Sequence, residues 1–207
     1  MRIFPALLAL LLSGCAIGNK FDYESVRAPI PQTAKKTTVA VATIDRREYL
    51  IKSQVADKYV GMTRNGYGIP YRVSTKSGAP LAVDLSKAIV ASLNDSGYRA
   101  EAVSGFPVLD QAAAKAQLFS SPANRRILVT VNTWESDTLV NTELETSVTV
   151  EVFDQTGKLL ASEFYSAKKG LGGNFISPIV HARQSVLDET SRIIAQMFSS
   201  QKIQGTL

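Results

Sequence analysis

Between Arg126 and Ala167 apolar and polar residues alternate for long enough to commit the chain to a β-sheet with one buried face. Ile127, Val129 and Val131 alternate with Leu128, Thr130 and Asn132; Leu144, Thr146, Val148, Val150 and Val152 alternate with Glu143, Glu145, Ser147, Thr149 and Glu151. Successive side chains on a strand point to opposite faces, so this spacing predicts one dry face and one wet face. Asp154-Gln155-Thr156-Gly157 is turn chemistry, and Lys158 to Ala167 is expected to return antiparallel and complete a three-stranded meander.

The remaining elements are read around that meander. Thr38 to Ile44 is β-branched, uncharged and mostly apolar, as expected of a strand covered on both faces. Asn65-Gly66 predicts a type I′ turn and a short hairpin. Pro80 opens a helix whose Leu81, Leu85, Ile89 and Leu93 recur every four residues, with Asp84 in its first turn and Gly97 just past its end. Tyr98 to Val103 reads as a strand and Val108 to Leu118 as a weaker helix. Gly170 to Asn174 reads as a glycine-rich loop, followed by Ser177 as N-cap, Pro178 as first helical residue, and a final helix with Ile179, Val186, Ile193 and Met197 on one stripe. Helices before and after a run of strands predict an α/β (α+β) two-layer sandwich, a mixed sheet with an antiparallel meander and helices packed on one face.

The amino terminus determines where such a domain works. Arg2 is a minimal positive start, Ile3 to Leu12 form an apolar run, and Leu12-Ser13-Gly14-Cys15 resembles a bacterial lipoprotein cleavage box. Ten residues rise only about 15 Å as a helix, too short to span a bilayer. The resemblance implies cutting after Gly14 and acylation of Cys15, which is also the one cysteine of the chain and so needs no disulfide partner. Ala16 in place of Asp implies sorting to the outer membrane. The expected organisation is a signal peptide over 1–14, a lipidated cysteine and flexible tether over 15–36, one periplasmic domain over 37–200 and a tail over 201–207. Pro29, Pro31 and the lack of any period support the tether, which fully extended would reach at most about 70 Å.

Removing residues 1–14 takes one cation, Arg2, from the 23 Lys plus Arg, leaving them four ahead of the 18 Asp plus Glu. Pairs such as Arg46-Arg47, Arg125-Arg126 and Lys168-Lys169 read as solvated surface, and no basic stripe interleaved with aromatics points to nucleic acid. With one histidine, His181, and one cysteine, no metal or cofactor is expected. Neither H-E-x-x-H nor G-x-S-x-G is present. Ser166-Ala167-Lys168-Lys169 matches S-x-x-K but falls at a predicted strand end, where serine and lysine are not one helical turn apart. Lys168 and Lys169, at the mouth of the glycine-rich loop before a helix, are the candidate anion contacts. Tyr59, Arg64, Tyr67 and Tyr71, around the hairpin, are the candidate partner contacts, since tyrosine supplies large contact area with a polar tip. Glu143, Glu145 and Glu151 read as a soluble or docking face rather than as acid–base machinery.

Taken in order, the cleavage box, Leu85-Ser86-Lys87-Ala88-Ile89-Val90-Ala91-Ser92-Leu93-Asn94-Asp95-Ser96-Gly97-Tyr98, Val129-Thr130-Val131-Asn132-Thr133-Trp134, Gln155-Thr156-Gly157-Lys158 and Ser185-Val186-Leu187-Asp188-Glu189 resemble the YajG family of bacterial lipoproteins. The resemblance spans most of residues 38–200 and departs in the longer, glycine-rich segment 46–75. It implies an outer-membrane lipoprotein with no catalytic residues to carry over. The expectation is a non-enzymatic domain, anchored in the membrane through acyl chains on Cys15, that docks an envelope protein. The alternatives are an accessory lipoprotein binding a lipid or anionic envelope glycan and, last, a hydrolase for which no nucleophile–base pair is present.

Overall fold

The longest strands organise the molecule. The computed structural model describes residues 19–34, 36–52, 55–106 and 108–207; the expected signal segment over 1–14 and Cys15 lie outside the described residues. The strands are β1 (Asn19–Phe21), β2 (Thr38–Asp45), β3 (Tyr59–Arg64), β4 (Pro70–Thr75), β5 (Arg99–Ala102), β6 (Arg125–Thr138), β7 (Asn141–Asp154) and β8 (Leu159–Gly173). The helices are α1 (Glu48–Lys52), α2 (Leu81–Asp95), α3 (Gln111–Ser120), α4 (Pro178–Phe198) and α5 (Gln201–Gln204), with a 3-10 turn at Tyr23–Ser25. All eight strands join one mixed sheet, and the fold is the expected α/β class.

Strands β6, β7 and β8 form the meander, antiparallel in both pairings. β7 occupies one edge of β6 along its whole length. The other edge divides: β2 runs parallel to it over Arg125–Val131, and β3 runs parallel to it over Ser136–Thr138. One arm of this fork continues from β2 to β5, the other from β3 to β4 and β1. Between Asp45, where β2 leaves, and Gly61, where β3 arrives, a guanidinium fills the gap. Arg47 is fully buried; its Nη2 donates to the Asp45 carboxylate (2.7 Å) and to the Asp57 carbonyl (2.9 Å), and its Nη1 to the carbonyls of Tyr59 (2.6 Å) and Trp134 (3.3 Å). Burial alone would lower the arginine pKa, but the hydrogen bond and charge of Asp45 outweigh it and raise the value above its usual one.

β2 is buried on both faces as expected. Val39 and Val41 join the larger core with Leu85, Ile89 and Leu93 of α2 and Val186, Ile193 and Met197 of α4. Ala40, Ala42 and Ile44 face the other way, with Leu128 of β6 and Ala114 and Leu118 of α3. α3, capped by the Asp110 side chain accepting from Ala113 N–H, thus covers the second face of the sheet while α2 and α4 cover the first. Ile179 departs from the expected stripe and stays exposed.

Three segments differ from their expected states. Residues 19–34 bind along the domain: Phe21 and Tyr23 are fully buried, Val26, Ala28 and Ile30 nearly so, and Tyr23 Oη accepts from Trp134 Nε1 at 3.2 Å. The apolar side chains recur at about every second residue, a burial pattern that the prolines mask. Lys168 to Gly173 belong to β8 instead of a loop, since a strand at the sheet edge tolerates glycine. Residues 201–207 are no free tail, because Ile203 of α5 is fully buried and the Thr206 carbonyl accepts from Arg125 Nε. The hairpin forms as expected, but its Asn65–Ile69 connection is longer than a two-residue type I′ turn. Asn65 Oδ1 accepts from the N–H groups of Tyr67 and Ile69 (3.0 Å each), and Gly68 alone in it takes a positive φ.

Asp84, in the first turn of α2, is fully buried and accepts from Ser77 Oγ. Burial raises its pKa above 3.8, against the opposing hydrogen bond from Ser77. A carboxyl whose folded pKa is raised binds more protons in the native state, so it lowers stability as pH climbs from the unfolded value through the folded one. Asp84→Asn removes that slope: the urea midpoint of the variant relative to wild type should rise between about pH 3 and pH 6. A constant difference over that range would refute the assignment.

Candidate functional site

The hairpin β3–β4 continues the sheet beside the carboxyl-terminal part of β6. There Arg64 Nη2 meets the Asp137 carboxylate at 2.6 Å, and Tyr59 Oη donates to Glu135 Oε1 at 2.7 Å. Glu135 and Asp137 pair in register with Glu145 and Glu143 of β7, and across β7 Lys168 reaches Glu143 at 2.9 Å. The result is an open sheet face rich in carboxylates, with Arg64 and Lys168 among them and Phe164 of β8 exposed on it.

Beside this face lies a groove of about 390 Å³, lined by Tyr49, Tyr59, Met62, Pro70, Tyr71, Arg72 and Glu135. Tyr49 and Tyr59 meet edge to face at 5.4 Å between ring centres, and Arg47 stands 5.2 Å from the Tyr49 ring. The phenols of Tyr49 and Tyr59 are pushed up, first by burial and also by the charge of Glu135, so both remain protonated donors at neutral pH. The same guanidinium that closes the fork donates to the Tyr49 hydroxyl and to the Tyr59 carbonyl. The groove offers flat apolar walls, one carboxylate and one cation, which suits a peptide segment.

Of the sequence-derived contacts, Tyr59 and Tyr71 line this groove together. Arg64 lies next to it but is engaged by Asp137. Tyr67 stands apart at the hairpin tip, 92% exposed. The two candidate anion contacts point to opposite faces of β8. Lys168 bonds to Glu143 on the open face, whereas Lys169 Nζ sits 2.9 Å from both carboxylate oxygens of Glu189 on α4. They do not form one anion site. Trp134 is core, 1% exposed, and His181 lies at the core edge with Nε2 3.1 Å from the Leu171 carbonyl. Tyr49, Met62 and Glu135 went unnoticed in the sequence because they come from three elements, and the only signal was the aromatic density around residue 59.

No family model matches the chain, and no curated protein matches it. Among solved structures, the protein XCC0632 from Xanthomonas campestris, of the family-model DUF330, aligns over 88% of this chain and 98% of its own at 11% identity and a TM-score of 0.49. A PelC dodecamer from Paraburkholderia phytofirmans aligns over 82% of this chain and 91% of its own, with 15% identity and a TM-score of 0.45. The lipoprotein GNA1162 from Neisseria meningitidis aligns over 75% of this chain and 99% of its own, with 13% identity and a TM-score of 0.33. All three scores are low, and the likeness assigns no function to this chain. Among the described residues no helix is long and apolar enough to cross a membrane.

Proposed function

We propose that this chain is a lipid-anchored lipoprotein of the bacterial outer membrane, facing the periplasm, whose non-catalytic domain docks an envelope protein. Leu12-Ser13-Gly14-Cys15 supports the anchor, Ala16 the outer membrane, and the order of motifs over residues 38–200 the YajG-like resemblance. The observation that carries the docking role is the aromatic groove beside an open carboxylate-rich face. A segment of partner lying in the groove would stack on Tyr49, Tyr59 and Tyr71, and its cations would meet Glu135 and the β7 glutamates. The lipid- or glycan-binding alternative draws no support from Lys168 and Lys169, which are committed to carboxylates.

Cys15→Ser is expected to leave an uncut precursor that is soluble or loosely held, seen by fractionation and intact mass. Recovery in the outer-membrane fraction at wild-type mass would refute the anchor. A photoreactive residue at Tyr71 should give one protein adduct in cells, abolished when Glu135→Lys reverses the charge in the groove. Adducts limited to lipid or glycan would overturn the docking role.

A further inference from the structure

Three connections of separate origin converge on one end of the sheet. β3 reaches that end because Thr63 pairs with Thr138, the last residue of β6, so the hairpin tip and the β6–β7 turn lie side by side. β8 finishes there as well, with Gly173 opposite Asn141 and Asn174 N–H donating to the Val140 carbonyl at 3.3 Å, and α4 starts from the same place. Each connection exposes large apolar side chains: Tyr67 (92%) and Ile69 on the tip, Leu139 on the turn, Phe175 (86%), Ile176 (94%) and Val180 before and within the first turn of α4. Among the described residues the β7–β8 turn at the opposite end carries Gln155, Thr156 and Lys158, with Leu159 the exposed apolar side chain beside it. An apolar surface gathered from three loops marks an interaction site.

The direction of the amino-terminal strand says what covers it. β1 runs parallel to β4, with Asn19 opposite Val73 and Phe21 opposite Thr75. Followed backward from Asn19, β1 therefore points toward Pro70 and the hairpin tip. Val73 stands four residues, about 13 Å of strand, from Ile69. Cys15 precedes Asn19 by four residues, which span at most about 14 Å. Because residues 19–34 are fastened to the domain instead of forming a free tether, acyl chains on Cys15 can reach a bilayer only if its surface comes close to the domain at β1. The apolar rim is at the end toward which that strand points. Lys20 and Arg183, which border one depression beside β1, add exposed cations on the same flank for anionic headgroups.

The geometry points to a membrane-facing end: Tyr67, Ile69, Leu139, Phe175, Ile176 and Val180 enter the interfacial layer of the bilayer that holds Cys15, and the sheet stands upright on it. The acyl chains supply retention and the rim supplies orientation, which directs the groove and open face along the membrane at a fixed height. This rests on the lipoprotein reading above, and its test separates the two.

The test uses the full chain, processed in cells, purified with its anchor and reconstituted into phosphatidylethanolamine–phosphatidylglycerol vesicles carrying brominated acyl chains. Ile176→Trp is compared with Gln155→Trp at the far end; native Trp134 is buried in both and gives a common background. The added emission of Ile176→Trp should fall by about half relative to unbrominated vesicles, as for an indole at the interface, while that of Gln155→Trp stays unchanged. Mass spectrometry of the amino-terminal peptide reports acylation in the same samples. Acylated protein with no quenching at residue 176, or equal quenching at both positions, overturns the membrane-facing end and leaves the anchor standing. Blue-shifted but unquenched emission at 176 overturns it in favour of a second copy or a protein partner over the rim. An unacylated peptide removes the anchor reading and this proposal with it.

Discussion

Arg47→Met should destabilise the domain by about 3–5 kcal/mol, because it leaves the fully buried Asp45 carboxylate without its counterion. That is a large share of the roughly 5–15 kcal/mol that holds a domain folded. The Tyr59 carbonyl loses a donor in the same step, while that of Asp57 keeps the Leu81 N–H (3.2 Å) and that of Trp134 keeps the Tyr49 hydroxyl (3.3 Å). Exposed pairs such as Glu48–Lys52 set the contrast, since solvent screens them and little is lost when one partner is removed. Asp45→Asn combined with Arg47→Met distinguishes the two contributions. If the orphaned charge dominates, the double variant recovers most of the loss; if the Tyr59 carbonyl dominates, it stays as unstable as Arg47→Met alone. Chemical denaturation measures both, and a single variant within about 1 kcal/mol of wild type would show that the fork does not depend on its guanidinium.

The fork is also where sequence reasoning stopped. The meander was legible because strict alternation over β6 and β7 has no other interpretation, and β2 because an uncharged β-branched run needs cover on both faces. Arg46-Arg47 and Arg125-Arg126 look alike as dipeptides, yet Arg47 and Arg126 are buried while Arg46 is exposed. Their burial depends on acceptors distant in the chain: the carbonyl of Trp134 for Arg47 and that of Asp154 for Arg126. No local pattern encodes a branch in the pairing of one strand. The segment 19–34 was misread for a different reason. Two prolines and a short length mimic a linker, while Phe21 with Tyr23, and after the 3-10 turn Val26, Ala28 and Ile30, recur every second residue in two runs too short to stand out as a strand. The site was half legible. Tyrosine density located the groove, but Tyr49, Met62 and Glu135 complete it from elements that only the fork brings together. The glycine-rich stretch has the composition of a loop, and nothing local marks the Phe175-Ile176 pair that follows it as exposed.

Gly61→Ala should be the second severe substitution, with a loss of about 2–5 kcal/mol concentrated in one arm of the sheet. Gly61 sits at a bulge, where the β3–β4 register shifts between Tyr59 and Gly61, and its φ of 146° lies in the region that side chains rarely adopt. A Cβ there would strike the carbonyl oxygen and hydroxyl of Ser136, with the Ser136 nitrogen only 2.7 Å away. β6 cannot yield, because β7 holds its other edge along the full strand. The new methyl group therefore pushes β3 away and breaks the Gly61–Ser136 pairing that fixes the second arm. Gly66, in the same hairpin, is the natural control: a Cβ there meets nothing within 4 Å and its φ is not positive. Gly66→Ala should be neutral or stabilising by about 0.4–1 kcal/mol through the unfolded chain. Hydrogen exchange locates the effect, since Gly61→Ala should unprotect the amides of β3 and β4 while leaving those of β7 slow. Equal denaturation midpoints for the two variants would sink the argument. The expected pattern would mean that the groove and the apolar tip can both be detached by one methyl group without unfolding the meander, so a single variant would report on docking and on membrane contact at once.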